Sequence, residues 1–400
     1  MDDSSKEDTP RVLRVLEALK QVSHELQAHP SPGSDEFDSP AIKALLELEV
    51  ESDKILSSDP NLSTLSHHLA NLKSLVETLQ KSRGYGLRSF FTRRFATNSV
   101  SQVAGSIESE IQAWIDRESL ETLVRALKEP SIDENESIKL LTQFENRLDQ
   151  GFNRELQDLM LKSKVFSLLE SIVCSPNFSK TIREHSAYAI GAMVRFNKDV
   201  FVGQVLTGPT IHALVQMASS HSLKVLCSLI RLIRSPLVEE IESNGDIPKI
   251  ISLLNCQDLQ IRVLAMDCIV EIGYFGRKEA VDTMLDEGLI DRLVELQRSE
   301  LGGDLIGLGR QTAEEGTGVA AGEVEGRREG RESREKKFLE RHPFASCVAR
   351  FTVQLEVGEG LRQREKRAIK PEILKRVTKA CVSDAEAATI MAEVLWGSSP

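Results

Sequence analysis

Apolar residues recur along this chain at steps of three and four, the spacing of one helix face. Leu62, Leu65, Leu69, Leu72, Leu75 and Leu79 set one apolar stripe along a predicted helix over 62–79. The same spacing predicts helices over 11–27 (Val12, Leu16, Leu19, Val22, Leu26), over 41–56 behind Ser39-Pro40, and through Val100, Val103, Ile107, Ile111, Trp114 and Ile115. Pro at a first helical position loses no hydrogen bond, so Pro40 suits a start. None of these stripes can be buried by its own helix. Packing the four together predicts an N-terminal amphipathic bundle over 1–118.

From residue 119 the pattern repeats. An apolar residue, two spacers and an apolar pair occur at Leu120/Leu123-Val124, Val165/Leu168-Leu169, Ile211/Leu214-Val215, Ile247/Ile250-Ile251 and Ile290/Leu293-Val294. These anchors lie 45, 46, 36 and 43 residues apart, a period of about 40 to 47 that belongs to stacked helical repeats. The clearest unit reads Asn244-Gly-Asp-Ile-Pro-Lys-Ile-Ile-Ser-Leu-Leu-Asn255, continues through Ile261, Ala265, Ile269 and Ile272, and reaches Gly288-Leu-Ile290. Glycine suits the left-handed residue that ends a helix, and small Ala265 lets two helices approach.

Over 119–300 these residues, with Glu184-His-Ser-Ala187-Tyr-Ala189-Ile190-Gly191, resemble the armadillo repeat, and the chain resembles the armadillo superfamily proteins of plants. The resemblance implies an all-α, right-handed armadillo-type solenoid preceded by the bundle. The bundle pattern is similar to Cbl- and HeLo-type adaptor bundles and to the one preceding the repeats of plant U-box ligases. The few residues between Trp114 and Leu120 leave no room for a U-box here. In branches of the armadillo family that bind peptides, an Asn late in the third helix of each unit holds the ligand backbone. The aligned positions here are Gln143, Ala192, Arg231 and Glu271. The resemblance therefore implies a protein-binding fold and gives no support for an import-receptor role.

Gly302–Gly330 breaks the pattern with nine glycines among Glu and Arg, and 301–337 is expected to be a flexible insert. Its Gly302-Gly303…Gly307…Gly309 run lacks the preceding strand and the Lys-Ser/Thr that a phosphate loop needs. Helices expected over 338–400 (344–357, 361–370, 371–382, 384–396) would extend and cap the array.

Composition narrows the function. The 400 residues are 40% hydrophobic and 28% charged, with a formal net charge of -11, against a general nucleic-acid binder. The charge is uneven: 1–60 holds fourteen acids and six bases, while 361–379 holds eight bases and two acids. The six cysteines form no C-x-x-C pair, and no histidine stands at metal-finger spacing from them. They read as buried, reduced thiols. With neither a signal-like N-terminus nor an 18-residue apolar run, a cytoplasmic or nuclear protein is expected. No catalytic, metal or cofactor residues are expected; the chain reads as a non-enzymatic scaffold or adaptor for a protein partner.

Two surfaces are candidates for that work. Arg231, Arg234, Arg262 and Glu271 are expected along the solenoid groove. Arg83, Arg88, Phe90, Phe91, Arg93 and Arg94, in a stretch of four Arg, three Phe and one Tyr, form a basic, aromatic corner suited to a partner or an anionic membrane. The corresponding alternative functions are peripheral membrane docking through that corner and a ubiquitin-ligase accessory without a U-box.

Overall fold

A computed structural model describes residues 65, 67, 68, 70, 71, 74, 87–129, 133–303 and 337–396. The helices expected at 11–27 and 41–56, most of that at 62–79, and residues 304–336 of the insert lie outside the described residues. Positions 65, 67, 68, 70, 71 and 74 are helical, and Leu65 is fully buried. In chain order the helices are α1 (Leu87–Lys128), α2 (Glu134–Asp149), α3 (Arg154–Ser163), α4 (Val165–Cys174), α5 (Lys180–Phe196), α6 (Lys198–Thr207), α7 (Thr210–Met217) and α8 (Ser220–Ile233). They continue as α9 (Ser235–Ser243), α10 (Ile247–Ser252, followed by a 3-10 turn), α11 (Leu259–Phe275), α12 (Lys278–Asp286), α13 (Leu289–Arg298), α14 (Cys347–Val357), α15 (Gln363–Ala380) and α16 (Asp384–Trp396). No strand occurs among the described residues. The chain divides into two compact units, 1–132 with 153–165, and 133–152 with 166–400.

In the first unit α1 packs against α3. The boundary expected between 118 and 119 falls inside α1, which is one 42-residue helix. The physical reason lies in the sequence: no Gly or Pro stands between Gly105 and Pro130. Ile107, Ile111, Trp114, Leu120, Leu123 and Leu127 are all buried along it, so nothing ends the helix at 118.

The second unit repeats a three-helix plan. Two short helices precede a longer one in α6–α7–α8, in α9–α10–α11 and in α12–α13–α14. The third helices stack in series, with α2 and α5 before them and α16 after: α2 on α5, α5 on α8, α8 on α11, α11 on α14, and α14 on α16. That ladder makes the fold an all-α armadillo-type solenoid. Its seams are aliphatic and close. Ala187, Ala189, Ile190 and Ala192 of α5 and Leu223, Leu226, Leu229 and Ile230 of α8 are fully buried. A methyl group on Gly273 of α11 would stand 3.0 Å from Phe351 of α14.

Polar bonds clip neighbouring repeats at the same register. Thr210 donates to Glu170 (2.7 Å), Ser235 to the Phe275 carbonyl (2.7 Å) and Arg231 to Glu271 (2.7 Å), each across 40 residues. The Asn244-Gly-Asp-Ile-Pro turn has a specific role. Gly245 takes the left-handed conformation (φ 67°), and the fully buried Asp246 carboxylate meets His212 Nδ1 of the preceding repeat at 2.8 Å and Lys249 at 3.0 Å.

The ladder continues on the far side of the insert. The Phe344 N–H donates to the Leu301 carbonyl at 3.1 Å and the Ser346 N–H to the Gly303 carbonyl at 3.0 Å, joining the flanks of 304–336. This places α14 on α11 as a third helix. The joint is polar. Glu393 of α16 is buried, accepting from Gln297 at 2.7 Å and from Ser346 at 2.6 Å. The break expected at Pro371 does not occur, since α15 runs through it. Pro371 lies on the exposed face, where its ring faces solvent and the carbonyl it leaves without a helical donor is open to water.

Candidate functional site

The third helices bury most of their surface and leave one narrow strip each. On α8 the strip is His221, Lys224, Ser228 and Arg231, spaced three and four apart opposite the buried Leu223, Leu226 and Ile230. On α5 it is Glu184, Tyr188 and Arg195; on α11 it is Asp267, Glu271 and Tyr274. Polar pairs join strips of adjacent helices: Arg195 with Asp149 of α2 (3.2 Å), Arg231 with Glu271 (2.7 Å), and His221 Nδ1 with the Glu184 carboxyl (3.2 Å). The ladder thus presents a surface of mixed charge: acidic on α2, one acid and one base on α5, basic on α8 and acidic on α11.

Burial governs its titration. Desolvation lifts the Glu145 carboxyl of α2 from 4.5 to about 7, with Arg195 opposing and Asp149 reinforcing the shift. Its Oε1 is buried without a hydrogen-bond partner. Burial, then Glu145 and Glu184, raises the Tyr188 phenol, whose ring meets His221 edge-on at 5.8 Å. Burial also raises Asp267, against the attraction of Arg350 and Arg231. The hydrogen bond to Glu271 is the main cause that raises Arg231.

The four residues expected in the groove do not converge. Arg231 and Glu271 are bonded partners near the C-terminal ends of α8 and α11. Arg234 follows α8, 3.4 Å from Glu359 and 6.0 Å from the Phe275 ring centre. Arg262 lies at the other end of α11, nine residues or roughly 13 Å along the axis from Glu271. There its guanidinium stands 5.6 Å from the Phe344 ring centre and its Nε is buried without a partner. Of the positions aligned with the family's ligand-binding Asn, Gln143 and Arg231 are exposed, Glu271 is half-buried and Ala192 is fully buried. Arg88, Phe90, Phe91, Arg93 and Arg94 lie on α1, whose side chains there are outside the described residues, as is Arg83. Glu145, Glu184, Tyr188 and His221 were missed in the sequence. Their signal is a pairing distance near the repeat length, which needs the helix register to be seen.

The remaining chemistry is structural. All six cysteines are free. Cys347 is enclosed, pushed up to about 12 by burial, and its thiol points at the Leu293 carbonyl 3.1 Å away. Among the described residues no cluster could hold a metal ion, and no helix is long and apolar enough to cross a membrane. A cleft of about 220 Å³ between α9 and α12, lined by Glu239, Glu242 and Arg277, is below the size of ordinary ligand pockets.

No known family model matches the chain, and no curated protein is similar to it in sequence. Several solved structures are similar. One engineered protein is 16% identical, with 70% of this chain and 99% of that chain covered and a TM-score of 0.42. A designed armadillo repeat protein in complex with the peptide (KR)4 is 15% identical, covering 69% and 97%, with a TM-score of 0.39. Another, computationally designed for modular peptide recognition, is 15% identical, covering 68% and 98%, with a TM-score of 0.39. The helix triplets and their ladder, not these likenesses, define the armadillo-type fold.

Proposed function

We propose that this protein is a non-enzymatic scaffold that holds a protein partner along the exposed strip of its third helices. One observation carries the reading. Charged side chains of both signs, with Tyr188 and Tyr274 among them, line the exposed strips of stacked helices whose other faces are locked in an aliphatic core. A rigid surface patterned every repeat suits an extended segment that crosses several helices. It supplies aromatic area and charge at fixed positions without ordering cost on the scaffold side. The reduced cysteines suit a cytoplasmic or nuclear setting.

The test uses the full chain as bait, because a fragment ending at 118 would cut α1. Lys224→Glu and Arg195→Glu alter the strip on α8 and α5; Glu242→Lys on α9 serves as a control. Loss of the same captured proteins from both strip variants, with retention by the control, is the expected result. An identical captured set from all three variants and the parent would remove the strip as the binding face.

A further inference from the structure

The helix α15 sorts its cations into two sets. Ile369, Ile373 and Val377 bury one side of it. Cations beside that seam are engaged by the array. Lys366 donates to the Gly358 carbonyl at 2.7 Å, Lys370 pairs with Glu356 at 2.6 Å and Arg376 pairs with Asp286 at 2.9 Å. The helix's two acids are engaged as well: Glu365 accepts from the Arg362 N–H at 2.7 Å, and Glu372 accepts from Arg376 at 3.0 Å.

Opposite the seam lies a different row. Arg364, Arg367, Lys375 and Lys379 are exposed, at steps of three, eight and four residues, with exposed Ala368, Pro371 and Thr378 among them. At 1.5 Å per residue the row is about 22 Å long. Lys375 has one ion pair, to Glu372 at 3.9 Å. No ion pair reaches Arg364, Arg367 or Lys379 among the described residues. A chain with a net charge of -11 thus carries a cationic ridge with no acid at its centre.

We propose that this ridge is a second docking surface, separate from the third-helix strip, and that it takes an acidic protein segment. The chemistry selects that occupant over other polyanions. The uncharged residues of the row are Ala, Pro and Thr, so it offers no aromatic ring on which nucleic-acid bases could stack. Nor does it offer a large apolar side chain to enter a bilayer. A membrane or duplex also presents its charge to the whole acidic protein, whereas a short segment meets the ridge alone. A run of about seven extended residues spans the ridge, and carboxylates at every second residue stand about 6.6 Å apart, close to the roughly 6 Å rise between Lys375 and Lys379.

The probe is a labelled ten-residue peptide of alternating Glu and Ser, titrated into the full chain and followed by fluorescence anisotropy. Phosphatidylserine-containing vesicles and a 20-base-pair DNA duplex are run beside it. Replacing Arg364 and Arg367 together by Glu should weaken the peptide about tenfold or more, and Lys375→Glu with Lys379→Glu should do the same. Arg364→Lys with Arg367→Lys should bind like the parent. The effect should shrink in 0.5 M salt, and Lys224→Glu on the strip should leave it unchanged. All four residues are solvent-exposed, and unchanged helical circular dichroism checks that the variants are folded. Peptide binding that ignores both reversals overturns the proposal. So does tighter binding of vesicles or duplex that depends on these four residues.

Discussion

The seam between α8 and α11 and the joint among α13, α14 and α16 do the same job with different chemistry. The first is aliphatic: Leu229, Ile230, Ala265 and Ile269 are essentially inaccessible. Burial of such side chains is non-directional and scales with area. The second is where the chain has left the array for residues 304–336 and must return in register. There buried Gln297 and Ser346 both donate to the buried Glu393 carboxylate. Ser346 takes a left-handed backbone (φ 46°) that a non-glycine residue adopts at a cost. Contiguous repeats align by sequence adjacency, and their seams rely mainly on packing, with polar clips at the margins. A repeat interrupted between its second and third helices gains from directional bonds, because only one placement of α14 and α16 satisfies all three polar groups.

The largest test of this contrast is Leu229→Ala in the aliphatic seam. It should lower stability by about 2–5 kcal/mol, as buried Leu truncations do, measured by urea unfolding. Glu393→Ala should lower it by about 2–3 kcal/mol by leaving two buried donors unsatisfied. The informative variant is Glu393→Leu with Gln297→Leu and Ser346→Ala, which should recover most of that loss. If the triple variant is no better than Glu393→Ala, the joint is held by something other than these bonds.

Glu145 offers a test without a large structural change. Its carboxyl is raised from 4.5 to about 7 by burial, so the native state holds the proton more tightly than the unfolded chain. Its contribution to stability is fully present below pH 4.5, fades as pH rises and is gone above about 7. Glu145→Gln should therefore raise the melting temperature at pH 8 and leave it nearly unchanged at pH 4.5. A shift of equal size at both pH values would mean that ionisation is not the cause. The smallest effect belongs to Arg231→Ala. The Arg231–Glu271 pair is partly exposed, and pairs of that kind contribute less than about 1 kcal/mol. A larger loss would show that the strip has a structural as well as a surface role.

The sequence by itself determined the helices of the described array and their repeat, because both follow from spacing along the chain. Three- and four-residue spacing of Leu, Ile and Val identifies a buried face wherever it lies. Anchors such as Ile211/Leu214-Val215 and Ile247/Ile250-Ile251 fall on α7 and α10. Helix ends rest on weaker punctuation. α1 passed through 118 for lack of a breaker, and α15 passed through Pro371 because that face is exposed. What only the tertiary structure decided is which side chains meet. Arg231 and Glu271 were both legible as charges, but their bond required two third helices stacked in register. Arg262 was grouped with them by charge and stands at the opposite end of its helix. Glu393 reads as one more surface acid on an amphipathic helix, and its burial follows from the return of the chain after 304–336. A residue's own spacing sets its helix face. Its partner, its desolvation and hence its charge state depend on neighbours 40 to 100 residues away, which no local pattern encodes.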